Sequence, residues 1–173
     1  MEASEFSDED FFRTLQVCGA RALLIGRRAL IALGAPVMTA DYDVWLHQDD
    51  IERLNLAFEP FAHFPNRARP RVDHAAAEPQ TCRHEARRTG RYVLEYGERI
   101  DVMVARGATT PAGEVLTFDD AWTRRVAVTV IPGVHGVSVQ LPCIDDLILT
   151  KRWGSRPRDE VDVAWLQLVG GKR

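Results

Sequence analysis

Lysine is almost missing from this chain of 173 residues: it occurs only at Lys151 and Lys172, and arginine supplies the rest of the 22 basic side chains. Against 25 acids they leave a net charge of −3, so no global positive field argues for nucleic acid. Cysteine is scarce too. Cys18, Cys82 and Cys143 are odd in number, far apart and form no C-x-x-C, which excludes a disulfide framework or a zinc knuckle and leaves three reduced, mostly buried thiols as the expectation. His74, Cys82 and His84 fit no zinc spacing. No apolar run approaches the roughly 18 residues that cross a bilayer. Neither G-x-S-x-G nor a P-loop occurs, so hydrolase-triad and P-loop chemistry lack support. The first residues are acidic (Glu2, Glu5, Asp8, Glu9, Asp10), the wrong start for a signal peptide, and a cytoplasmic, membrane-free protein is expected.

What is present is ordinary for a globular chain: 46% hydrophobic and 27% charged residues. The length suits a single domain over residues 1–173, with no internal repeat. Ser7 with Asp10 three residues on marks a helix start, and Phe11, Phe12, Leu15 and Cys18 continue its apolar stripe. Ala22 to Ile25 is a short buried strand, and Arg27 to Leu33 a helix stopped by Gly34 and Pro36. Asp41 to Leu46 alternates strictly and predicts a strand, and Asp49 to Phe61 predicts a helix. Residues 62–90 carry prolines and accumulating arginines and read as a long loop, with or without one short helix. A hairpin is expected from Arg91–Tyr96 and Arg99–Val104, two further strands at Val126–Ile131 and Val137–Leu141, and helices at Ile144–Trp153 and Pro157–Val169.

The chemistry concentrates in acids on strands. Residues two apart share a strand face, so Asp41 and Asp43 stand together opposite Tyr42, Val44 and Leu46. The apolar set must face the core, which puts the two carboxylates on the solvent side. Like charges that close repel unless a cation lies between them, and magnesium prefers carboxylate oxygen. An edge strand with a solvated polar face would alternate in the same way. Asp101 repeats the logic on its own strand, opposite Ile100, Val102 and Val104. If the two strands are neighbours, three acids converge, as in sites where two metal ions flank a phosphate. A three-residue turn would also set Glu95 opposite Asp101, and a two-residue turn would not. Gly26 joins a strand to a helix, where backbone amides bind phosphate, and Arg27 and Arg28 could add positive charge beside a triphosphate.

Gly26, then a helix, then Asp41-x-Asp43, then a distant Asp101, followed by Asp145 to Lys151 and Arg156 to Val163, resembles the minimal nucleotidyltransferases of the DNA polymerase β superfamily, including those of abortive-infection and toxin–antitoxin pairs. The resemblance spans about residues 20–170. It implies an α/β (α+β) nucleotidyltransferase fold, a mixed sheet with helices packed on one face and the carboxylates on the other. It implies transfer of a nucleoside monophosphate from a nucleoside triphosphate, ATP among them, to a hydroxyl of RNA, protein or a small molecule. Asp41, Asp43 and Asp101 would be catalytic and hold Mg2+, with Mn2+ as substitute. Gly26, Arg27, Arg28, Thr39 and Lys151 would surround the nucleotide, Lys151 either near it or paired with the acids of the last helix. Asp159 and Asp162 read as structural, with Arg158 and Asp162 an i, i+4 pair. Two positions depart from the family: Arg27 where glycine or serine is usual, and Val37 where relatives often have arginine. They favour the alternative of a non-catalytic nucleotide- or partner-binding module of a toxin–antitoxin-like pair, and the three acids oppose it. The arginine-rich stretch 66–91 is the one hint of an RNA acceptor, with a solvated loop as its simpler reading.

Overall fold

A computed structural model describes residues 7–58, 80, 81, 88–93, 99–131, 133, 136–154 and 156–171. The elements run α1 (Asp8–Val17), β1 (Ala22–Ile25), α2 (Gly26–Ala32), β2 (Asp41–Leu46), α3 (Ile51–Phe58), β3 (Gln80–Thr81), β4 (Arg88–Val93), β5 (Arg99–Met103), β6 (Gly107–Thr109), β7 (Val115–Thr117), α4 (Phe118–Thr123), β8 (Val126–Ile131), β9 (Val137–Leu141), α5 (Ile144–Arg152) and α6 (Pro157–Gly170). The fold is mixed α+β. Its central sheet has the order β1-β2-β5-β4, with β3-β6-β7 and the β8-β9 hairpin as smaller sheets. β2 pairs antiparallel with β1 and parallel with β5, and β5 pairs antiparallel with β4.

Local chemistry explains the boundaries. Ser7 accepts from the Asp10 amide while the Asp10 carboxylate takes the Ser7 amide, so a reciprocal cap opens α1. The expected helix from Asp49 starts as a 3-10 turn at Gln48–Asp50 and becomes α-helical at Ile51. Residues 59–61 lie outside the described residues. The hairpin arms also differ from expectation. The first arm is Arg88–Val93, with a bulge between Arg88 and Gly90. Arg91 pairs with Asp101 and Val93 with Arg99, so the link spans residues 94–98 and Arg91, not Glu95, stands opposite Asp101. Residues 62–90 are not simply a loop, because Gln80–Thr81 pairs with β6 and Arg88 already belongs to β4. Most of the arginine-rich stretch, with His74, Cys82 and His84, lies outside the described residues.

The sheet separates two cores. Leu24, Tyr42, Val44, Ile100 and Val102 face α1, α2, α3, β9, α5 and α6, where Phe11, Leu30, Leu54, Phe58, Leu147 and Leu166 are buried. The opposite face carries Asp43 and Asp101 but is not open along its length. Leu23, Ile25, Trp45 and Met103 lie on it and are covered by Ala108, Leu116, Phe118, Ala121 and Trp153. Side chains of this size contribute roughly 1.5–3 kcal/mol each when fully buried. The solvent side of the sequence reading is thus a second core with a cleft at one end.

Asp50 ties the first strand to the helix that follows the second. Its carboxylate takes the Arg21 amide at 2.9 Å and the Arg21 Nε at 2.6 Å. Burial alone would raise the Asp50 carboxyl, but the Arg21 hydrogen bonds overcome it and hold the group below its ordinary value. A carboxyl held low stabilises fully above the unfolded value of about 3.9, and that contribution fades as pH falls through the lower folded value. Bonds to charged groups are worth roughly 1.5–3 kcal/mol, so Asp50→Asn is expected to cost about that at neutral pH. In urea titrations the gap to wild type should close below about pH 4. A gap that persists in acid would remove Asp50 as its source. Cys18 and Cys143 form no disulfide, and burial pushes both thiols up, away from reactivity.

Candidate functional site

The site begins with one glycine. Gly26 has φ +67°, a left-handed value that side chains resist, and it starts α2 directly from the extended Ile25. Isoleucine has no capping oxygen, so the N-cap side chain leaves the amides of the first turn unbonded. A Cβ on Gly26 would stand 2.1 Å from the Asp43 Oδ2 and 2.8 Å from its Cγ. The backbone of the β1–α2 junction is therefore packed onto that carboxylate. Only glycine satisfies both the backbone angle and this approach.

β2 and β5 bring the acids together. Asp43 is the register partner of Ile25 on one side and of Asp101 on the other. Partners on neighbouring strands project to one face and lie about 5 Å apart. The half-buried Asp43 and the buried Asp101 line one cleft of about 190 Å³ with Gly26, Thr150, Lys151, Trp153, Gly154, Arg156 and Asp159. Asp41 lies two residues earlier on the same face of β2 and outside the cleft lining. Its amide donates to the Thr39 Oγ1 at 3.2 Å, so Thr39 fixes the start of β2 and does not line the cleft. Among the described residues no three acids, histidines or cysteines are gathered closely enough to hold a metal ion unaided. Magnesium usually takes one or two carboxylates and completes its shell with water and substrate phosphate. The Asp43–Asp101 pair fits that requirement.

The basic residues of the sequence reading divide. Lys151 is buried on α5, with its Nζ 2.8 Å from the Asp162 Oδ2 and 3.9 Å from the Asp159 Oδ1. Of the two roles open to it, pairing with the last helix is the one realised, at a place that also borders the cleft. Asp162 takes Arg27 as well, at 3.3 and 3.5 Å, while Arg158 points outward and is not its partner. The i, i+4 spacing was a poor guide because Asp162 faces inward, where Lys151 and Arg27 converge. Arg156 completes the cluster at 3.0 Å from Asp159. Arg28 is not brought to the cleft. Its guanidinium lies 2.7 Å from Asp8 and 4.2 Å above the Tyr42 ring, on the helix side of the sheet, and the Tyr42 hydroxyl also donates to Asp8. Trp153, Gly154 and Arg156 were missed as lining residues. Their signal was the short break between two helices that both carry charge. Beyond Lys151, Arg156 and Asp159 a second cavity of about 480 Å³ is walled by Thr110, Pro111, Glu114, Val163 and Gln167.

No family model and no curated protein matches this sequence. A candidate nucleotidyltransferase from Thermotoga maritima, known as a solved structure, is similar over 100% of both chains, with a TM-score of 0.56 and 13% sequence identity. This chain has the nucleotidyltransferase fold. At that identity the likeness establishes architecture, and the fold sets a mixed sheet with helices on one face and Asp43 and Asp101 on the other. No helix among the described residues is long and apolar enough to cross a membrane.

Proposed function

We propose that the protein is a magnesium-dependent nucleotidyltransferase that moves a nucleoside monophosphate from a nucleoside triphosphate to a hydroxyl acceptor. The observation that carries this reading is the closure of Gly26 onto Asp43, with Asp101 beside it in register. Two carboxylates side by side on one sheet face offer the oxygen ligands that a divalent cation prefers. The arrangement makes sense when a cation and an anion occupy the cleft together. Asp43 and Asp101 would hold the metal, with Asp41 on the same strand face outside the cleft lining. Bound there, magnesium would neutralise charge on the phosphates and lower the pKa of the attacking hydroxyl.

The chain's own residues supply position and charge. The Gly26 turn brings its backbone to the cleft beside Asp43, and Lys151 and Arg156 border the same cleft with positive charge. Asp101, buried and beside the cleft, would accept the proton of the acceptor hydroxyl. The hydroxyl oxygen forms a bond to the α-phosphorus. The bond from that phosphorus to the α,β-bridging oxygen breaks, and pyrophosphate leaves with the electron pair.

Calorimetry with the four triphosphates, with and without magnesium, tests this. Wild type should bind in a magnesium-dependent way, and Asp43→Asn or Asp101→Asn should lose about a thousandfold in transfer. Both variants should keep the fold, because asparagine matches aspartate in size and keeps an acceptor oxygen. Binding unchanged in Asp43→Asn would sink the proposal. The ties of Arg27 to Asp162 and of Arg28 to Asp8 favour a second reading, a nucleotide-binding module without turnover. Asp43-dependent binding with no pyrophosphate released in the presence of RNA, protein or small-molecule hydroxyls would support it.

A further inference from the structure

Two indoles meet on the acid-bearing face of the sheet. Their rings pack edge to face, with centroids 5.0 Å apart and planes at 87°. Trp45 donates its N–H to the Ala105 carbonyl at 2.7 Å. Trp153 is 4% exposed, yet its Nε1 finds no partner among the described residues. A buried indole N–H is a donor only, and native structures rarely leave such a group unpaired. Trp153 also lines the cleft that holds Gly26, Asp43 and Asp101. The residue whose donor lacks an acceptor is therefore part of the wall of the candidate site, with the N–H itself buried behind that wall.

We propose that Trp153 is a ligand-binding residue of this cleft, its indole N–H donating to an oxygen of the bound phosphate chain. The inference rests on the nucleotidyltransferase reading above. Two observations favour a phosphate oxygen. Lys151 and Arg156 border the same cleft, so an anion that enters with magnesium on Asp43 and Asp101 meets two cationic side chains. The nearby carboxylate of Asp159 is already engaged by Arg156 at 3.0 Å and faces Lys151, so the protein offers its own anion elsewhere. The cleft of about 190 Å³ is smaller than the ~300 Å³ or more usual for a ligand site, so entry of a triphosphate must widen it.

Trp153→Phe keeps an aromatic ring and removes the donor. It should weaken binding of magnesium pyrophosphate and of ATP alike, by about tenfold, as loss of one hydrogen bond to a charged group requires. Asp43→Asn should abolish binding of both. The phenylalanine variant also disturbs packing on Trp45, so the wild-type protein supplies a second readout. The Trp153 indole signal in a proton–nitrogen NMR spectrum, assigned by its absence from Trp153→Phe, should move downfield as magnesium pyrophosphate saturates the site. A signal that stays put while calorimetry shows the ligand bound overturns the proposal and leaves the N–H directed at the Trp45 ring. A loss confined to ATP also overturns it, because the bond would then go to the nucleoside. If wild type binds neither ligand, the nucleotidyltransferase reading itself fails and this inference falls with it.

Discussion

Gly26→Ala is expected to abolish magnesium-dependent triphosphate binding while leaving a folded, weakened protein. Two costs separate here. An alanine held at φ +67° carries a backbone penalty of about 1–2 kcal/mol. Its Cβ would also stand 2.1 Å from the Asp43 Oδ2, far inside contact distance. The side chain that yields is the carboxylate, and turning it away from Asp101 dismantles the pair that would hold the metal. Gly34→Ala isolates the first cost. Gly34 has φ +94°, yet nothing lies within 4 Å of where its Cβ would be. That variant should lose only the backbone penalty, a few degrees in melting temperature, and keep wild-type binding. Equal binding losses in both variants would show that the Gly26–Asp43 contact is not what matters.

The acid pair was legible because strand alternation is rigid. Once Tyr42, Val44 and Leu46 face the helices, Asp43 has one side left to take, and Asp101 follows from Ile100 and Val102. What alternation could not supply was the neighbour relation. The parallel pairing of β2 with β5 joins strands separated by more than fifty residues, and no local pattern encodes it. Trp45 was the overlooked signal. A large apolar residue on the carboxylate face cannot stay in water, so its presence already implied a second covering layer. That layer, β6, β7 and α4, went unread although Thr117 caps α4 and Asp119 and Asp120 follow in its first turn. Lysine near the end of α5 suggested two roles, and the structure realises the pairing with Asp162 at a place that also lines the cleft. Arg27 reaches Asp162 across 135 residues, which sequence spacing cannot show.

The ion cluster behind the cleft carries the second large prediction. Lys151 and Asp162 are 7% and 1% exposed, so both charges have left water and depend on each other. Removing one partner of a buried pair costs roughly 3–5 kcal/mol because the other is stranded. In Lys151→Met the stranded groups are Asp162 and Asp159, but Arg27 and Arg156 still attend them. The loss should therefore sit near the lower end, about 3 kcal/mol, or roughly 6–12 °C in melting temperature for a chain of this size. Arg27→Met removes the more exposed partner, whose side chain is 30% accessible, and should cost well under half as much. The double variant Lys151→Met with Asp162→Leu replaces the pair by apolar groups. It should recover much of the stability lost by the single change, since attraction in a buried pair barely offsets its desolvation. The same double variant should still bind magnesium pyrophosphate less well than wild type, because a cation bordering the cleft is gone. Stability restored together with full binding would confine Lys151 to holding α5 on α6. Stability restored without binding would place the amine in the electrostatics of the site.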